Sequence, residues 1–189
     1  MKKNSLLALM IGGMLATPAI ALADWGTVET PNVLMTSDQS FAVPKAARTA
    51  DGKTFISWLQ YDGNGRGYNV HLMLLDADGN KMWNESLCVE DRLNASWTAD
   101  YSLVVTDEGD AVISWADARS FEDSGEQWPN AHDPVLYKIS QEGKHLWGEE
   151  GVVLDSDLFL YPPLLYKVGS DIYAIMTSAD DWSPNQIAR

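Results

Sequence analysis

The chain is poor in the residues that most enzyme classes depend on. It has one cysteine, Cys88, among 189 residues. No disulfide can therefore form within it, and the single thiol reads as a small core residue of the strand-like run Ser86-Leu87-Cys88-Val89. Three histidines, His71, His132 and His145, stand at unrelated places. No Gly-x-Ser-x-Gly elbow, His-Glu-x-x-His pair or phosphate-cradling glycine loop is present, which removes the commonest signatures of serine hydrolases, zinc peptidases and nucleotide-binding proteins. Basic residues are scarce, 13 against 27 acids, and the net charge of −14 repels phosphate backbones. Nucleic acid is thereby excluded as an expected partner. Beyond residue 23 no apolar run is long enough to span a bilayer as a helix, and no segment keeps a 3.6-residue apolar period.

What is present begins with Met1-Lys2-Lys3 and an apolar run from Leu6 to Leu22, broken by Gly12, Gly13 and Pro18 and closed by Ala21-Leu22-Ala23. Two lysines, a short apolar stretch and a small-residue site are the three parts of a secretory signal peptide. Residues 1–23 are expected to be removed, leaving 27 acids against 11 basic residues, a net −16. The expected setting is outside the cytoplasm: periplasmic, cell-surface or secreted.

The rest of the chain repeats. Asp51-Gly52-Lys53-Thr54-Phe55-Ile56-Ser57-Trp58 recurs as Glu108-Gly109-Asp110-Ala111-Val112-Ile113-Ser114-Trp115, an offset of 57 residues. Leu75-Asp76-Ala77-Asp78-Gly79-Asn80-Lys81-Met82-Trp83 recurs as Ile139-Ser140-Gln141-Glu142-Gly143-Lys144-His145-Leu146-Trp147, an offset of 64. The seven additional residues fall between Trp115 and Ile139, in a polar loop over Ser120–Pro134. A third copy starts at Lys167–Met176, with Met176 in the tryptophan position, and Gln186-Ile187-Ala188-Arg189 matches Val135-Leu136-Tyr137-Lys138. Each full copy reads as four short strands of β-branched, aromatic and aliphatic residues separated by turn signals. In the second copy these are Ser102–Thr106, Ala111–Trp115, Val135–Ile139 and Val152–Leu154. The matched tryptophans Trp58, Trp83, Trp115 and Trp147 are expected in the core.

The expected fold is all-β: a β-propeller-type repeat of four-stranded blades, about two and a half of them, following the signal peptide. Residues 24–40 lead in, 41–98 form repeat 1, 99–158 repeat 2, and 159–189 a partial repeat 3. Further blades or further chains would be needed to close a ring.

Three stretches carry a family resemblance: Trp115-Ala116-Asp117-Ala118-Arg119, Val135-Leu136-Tyr137-Lys138-Ile139, and Gly143-Lys144-His145-Leu146-Trp147-Gly148-Glu149-Glu150-Gly151-Val152. Together they resemble one unit of exported bacterial propeller-like repeat proteins, whose units read Trp-x-Asp-x-Arg, a strand, then Gly-x-x-Leu-Trp-Gly-x-x-Gly-Val. The first copy has Gln60 and Asp62 in place of Asp117 and Arg119, and the third is degenerate. The resemblance implies a propeller fold and an exported setting, and little about activity.

Candidate binding residues gather in the second copy. Asp117 and Arg119, two apart at a strand end, share a face; they read as an ion pair pinning the next loop, or as part of a ligand surface. In the polar loop, Trp128 could stack on a sugar or anchor a protein, and Glu122, His132 and Asp133, with Asp123 and Glu126, have the donor chemistry for a cation. A solvated loop with Trp128 folded back is the plainer reading. Asp76-Ala77-Asp78-Gly79-Asn80 lacks the glycine and glutamate spacing of a calcium loop and reads as a hairpin turn. No catalytic residue, metal or cofactor is assigned; the acidic surface suits simple solubility, or else uptake of a divalent cation such as calcium. The expected function is binding or assembly, with a protein or glycan ligand. A fragment of an exported carbohydrate-active hydrolase and a structural spacer of a surface protein are the alternatives.

Overall fold

The computed structural model describes residues 41–61, 63, 67–92, 100–119, 133–154, 162–176 and 186–188. The chain is all-β. Its strands are β1 (Phe41–Arg48), β2 (Thr54–Tyr61), β3 (Tyr68–Leu75), β4 (Leu87–Cys88), β5 (Ser102–Val105), β6 (Ala111–Asp117), β7 (Asp133–Ile139), β8 (Val152–Val153), β9 (Leu164–Val168), β10 (Asp171–Met176) and β11 (Gln186–Ala188). They form three antiparallel sheets, β1-β2-β3-β4, β5-β6-β7-β8 and β9-β10-β11, each a meander in chain order and none closed on itself.

The repeat in the sequence is a repeat in the backbone. Thr49 and Thr106 each donate their N–H four residues ahead, to Lys53 and Asp110, at 2.9 Å in both. Asp76 and Ser140 do the same to Asn80 and Lys144, again at 2.9 Å. Gly109 turns the second of these chains at φ +88°. That conformation is open to glycine and costly for other residues. Register also matches: Trp115 stands opposite Val135 and Ile113 opposite Tyr137, while Met176 stands opposite Gln186 and Ile175 opposite Ile187. The third copy departs at its first turn. Val168 pairs directly with Asp171, leaving a two-residue hairpin where the earlier copies have five-residue turns.

The sheets stack head to tail. One core joins Phe55, Leu59, Val70 and Leu72 of the first sheet to Ile113, Trp115, Val135 and Tyr137 of the second. Ile56 and Trp58, the repeat counterparts of Ile113 and Trp115, lie on the opposite face of the first sheet, with Met73 and Leu75. Val112, the counterpart of Phe55, packs forward against Leu165 and Ala174 of the third sheet. The first two sheets thus show their Ile-Ser-Trp tryptophan backward and the alternate residues of the same strand forward, as the two-residue period of a strand requires. The first strands lie side by side, β1 beside β5 and β5 beside β9.

Two expectations need correction. β6 and β7 run on to Asp117 and Asp133, which stand opposite each other in register. Asp133 and Pro134 therefore belong to a strand and not to the loop. The ladder tolerates Pro134 near the strand end, where its carbonyl accepts from Leu154 N at 2.9 Å. Trp147 is 41 % exposed, although its counterpart Trp83 packs against the core joining the first two sheets. The Trp83 indole donates to Gln141 O at 2.8 Å, on a turn of the next sheet. Among the described residues, the third sheet offers Trp147 no such turn.

Candidate functional site

Asp117 ends β6 and is fully buried; Arg119 follows it and is nearly so. The guanidinium donates to Asp117 through Nε at 2.9 Å and Nη2 at 2.8 Å, a two-pronged pair. It also donates through Nη2 to the Tyr137 hydroxyl at 3.0 Å and through Nη1 to the Glu150 carbonyl at 2.9 Å. Burial works against the charge on Arg119, but the hydrogen bonds and charge of Asp117 outweigh it and hold the guanidinium protonated well above its usual range. This is an internal ion pair that fixes the Gly148–Gly151 turn against Tyr137. Asp133 is fully buried beside it. Glu122, Trp128 and His132, the other expected binding residues, lie outside the described residues.

Next to this pair is a cleft of about 490 Å³, between the segment that leaves β4 and the turn ahead of β8. Its first wall is Cys88-Val89-Glu90-Asp91-Arg92, and its second is made by Tyr137, His145, Glu149 and Glu150. The first wall is held by the sheet it leaves. Val89 N donates to Val70 O at 2.8 Å. The Glu90 carbonyl accepts from Asn69 Nδ2 at 2.8 Å and from Cys88 Sγ at 3.0 Å. His145 ties the walls together. Its Nε2 lies 2.8 Å from Val89 O, so the carbonyl fixes that nitrogen as the donor. Its Nδ1 lies 3.1 Å from Glu149 Oε2, an ion pair when the ring is protonated. Across the mouth, Arg92 pairs with Glu150 through Nη2 and, at 3.1 Å, through Nε.

Glu90 is the unusual group. It is 7 % exposed. Oε2 accepts from Arg92 N at 2.7 Å, whereas Oε1 is buried with no hydrogen-bond partner among the described residues. Burial, reinforced by the negative charge of Asp117, pushes its carboxyl up to about 8. Around neutral pH the side chain is thus largely an uncharged acid. Because Oε2 already accepts, the proton belongs on Oε1, where it makes an unmet donor. Tyr137 is likewise pushed up, by burial and then by the charges of Glu90 and Asp117, so its hydroxyl stays neutral.

Sequence reasoning passed over Glu90, because nothing local marks it. Among the described residues no group of three or more His, Cys, Asp or Glu side chains could hold a metal ion, and no helix is long and apolar enough to cross a membrane. No family model, curated protein or solved structure matches the chain.

Proposed function

We propose that the chain is an exported β-propeller-type repeat module whose role is binding or assembly. The observation that carries this reading is the head-to-tail stacking. Ser57 and Ser114 are repeat counterparts, both fully buried. Ser57 Oγ lies 2.8 Å from the Tyr101 hydroxyl, one residue ahead of β5; Ser114 Oγ donates to Pro163 O, one residue ahead of β9. The same side chain reaches the same place in the following sheet, so one stacking rule is applied twice. Blades set by such a rule, with their first strands adjacent, are what a propeller is built from.

The rule also describes what a further blade would meet. The forward face of the third sheet carries Leu164, Tyr166 and Val168, exposed at 46 %, 51 % and 62 %. In the first two sheets the corresponding face is covered by the sheet that follows, through Ile113 and Trp115 on the first and through Leu165 and Ala174 on the second. We read this strip as an assembly face for another sheet of the same repeat. Export is supported by the N-terminal sequence pattern alone.

Light scattering and hydrogen exchange on residues 24–189 test the assembly face. Concentration-dependent association is expected, with protection gained at residues 164–168, and Tyr166→Lys with Val168→Lys should abolish both. A chain that stays monomeric at every concentration would sink the reading. The hydrolase alternative has one observation in its favour: a carboxyl pushed up to about 8 by burial is what a general acid needs. Release of reducing sugar from a neutral polysaccharide, lost in Glu90→Gln, would favour it over binding.

A further inference from the structure

We propose that the third sheet is a dimer interface: its forward face is covered by the same face of a second copy of this chain, with β9 lying antiparallel on its partner and a two-fold axis passing at Tyr166. This rests on the assembly-face reading and names the sheet that does the covering.

The face is self-complementary. Tyr166 stands opposite Tyr173 and Leu164 opposite Ile175, and residues opposite each other on paired strands share a face. The exposed residues of β9 on this face are Leu164, Tyr166 and Val168, at 46 %, 51 % and 62 %. An aliphatic residue thus stands two positions to either side of Tyr166. A two-fold axis in the plane between the sheets, running across the strands, lays one strip reversed on the other. Leu164 then meets the partner's Val168, and Tyr166 meets the partner's Tyr166, where offset or edge-to-face stacking of the rings is favourable. Contact of one patch with itself is what a closed dimer requires.

Head-to-tail stacking of a second copy would need the tryptophan side of the first sheet as the cover. That side is already buried: Trp58, Met73 and Leu75 are 6 %, 3 % and 1 % exposed. The fastening of the first two interfaces is missing as well. Ser57 and Ser114 each reach the segment leading into the next sheet, whereas their counterpart in the third copy is Ile175, one before Met176, which has no hydroxyl to offer. Charge points the same way. On a chain of net −14, a self-contact must avoid bringing like charges together. Lys167, the one basic residue of β9, is turned to Asp107, at 2.6 Å. Asp171 stands opposite Val168, at one end of the strip, so the reversed packing sets the two Asp171 side chains at opposite ends. Three strands about 4.8 Å apart and five residues long, at about 3.3 Å each, give a footprint of roughly 15 by 17 Å. A standard interface buries about 800 Å² per partner. This dimer is therefore small and weak, forming on the order of 100 μM.

The test is sedimentation of the whole mature chain from about 10 μM to about 1 mM, beside two variants at exposed positions, Leu164→Lys and Val168→Glu. The native chain should pass from monomer to dimer and stop there. Each variant alone should stay monomeric, because its homodimer would enclose two unpaired charges against apolar residues. An equimolar mixture of the two variants should dimerise again. At one end of the mixed interface the new lysine faces the new glutamate, and at the other the native Leu164 faces the native Val168. Recovery in the mixture also shows that both variants are folded. Open-ended association of the native chain, or a mixture that stays monomeric while the native chain dimerises, overturns the two-fold dimer and leaves the assembly face standing. A native chain that stays monomeric throughout overturns both.

Discussion

Tyr101 links the first two sheets through a single hydroxyl. It donates to Val43 O at 2.9 Å, so its contact with Ser57 at 2.8 Å must have Ser57 as donor. Val43 sits in a bulge of β1 at φ +50°, a conformation that is costly for a β-branched residue. Its carbonyl is turned to where Tyr101 can reach it. Tyr101→Phe deletes both hydrogen bonds and leaves the Ser57 hydroxyl and the Val43 carbonyl unmet. The expected loss is about 2–3 kcal/mol by urea denaturation, against about 1 kcal/mol for Ser57→Ala, which removes one bond and its donor together. Equal losses in the two variants would show that the hydroxyl is not the link.

The buried ion pair gives a larger effect. Arg119→Ala leaves the Asp117 carboxylate enclosed without its two-pronged partner, and the expected cost is about 3–5 kcal/mol. Asp117→Asn combined with Arg119→Met removes both charges and should cost clearly less than Arg119→Ala alone. A double variant as unstable as Arg119→Ala would mean that packing, not an uncompensated charge, sets the cost. Thermal melts of the three proteins separate these outcomes.

Much of this was legible in the sequence, and the part that was not has a physical cause. Aligning Gln186-Ile187 with Val135-Leu136 was enough to place β11, because register within a meander follows from local matching, and Met176 does stand opposite Gln186. The Asp117–Arg119 pair was suggested by opposite charges two apart at a strand end, although Arg119 lies past the end of β6 and reaches back to Asp117 from there. Glu90 was not readable. Tyr137 and His145 of the second sheet line the same cleft, and its proton affinity is raised first by burial and then by the charge of Asp117, all of them distant in sequence. Trp147 misled for the same reason. Its sequence matches Trp83, but what buries Trp83 is a turn contributed by the following sheet.

Glu90 should give stability a specific dependence on pH. Its folded value is raised to about 8 from an ordinary 4.5, so between these values the folded state holds a proton that the unfolded state has released. Its contribution is fully present below about pH 4.5 and is lost progressively as pH rises to about 8, beyond which it is flat. Glu90→Gln removes that loss. The variant should gain on the native protein across this window, by a few kcal/mol at about pH 9, and show no gain at about pH 4. Urea midpoints at the two pH values check this. A variant advantage that does not grow with pH would mean that Glu90 is ionised in the native fold.

Two glycines near the cleft have similar backbone geometry and opposite surroundings. Gly148 has φ +86° with nothing within 4 Å of the place a Cβ would take, whereas a Cβ on Gly151, at φ +64°, would lie 2.6 Å from the Leu136 carbonyl and 2.9 Å from the Tyr137 ring. Gly148→Ala bears only the backbone penalty, about 1 kcal/mol. Gly151→Ala adds a clash with backbone and a buried ring, neither of which is free to move. Tyr137 is held by Arg119, and Leu136 lies inside the β6–β7 ladder. The expected cost is more than twice that of Gly148→Ala, and the strain should pass to the second wall of the cleft, displacing Glu149 and Glu150 from His145 and Arg92. Thermal melts measure the first effect. The second is read from the His145 ring resonances, which should shift in Gly151→Ala and stay in place in Gly148→Ala. The same ring shift in both variants would show that the turn moves as a unit, and that Tyr137 does not anchor it.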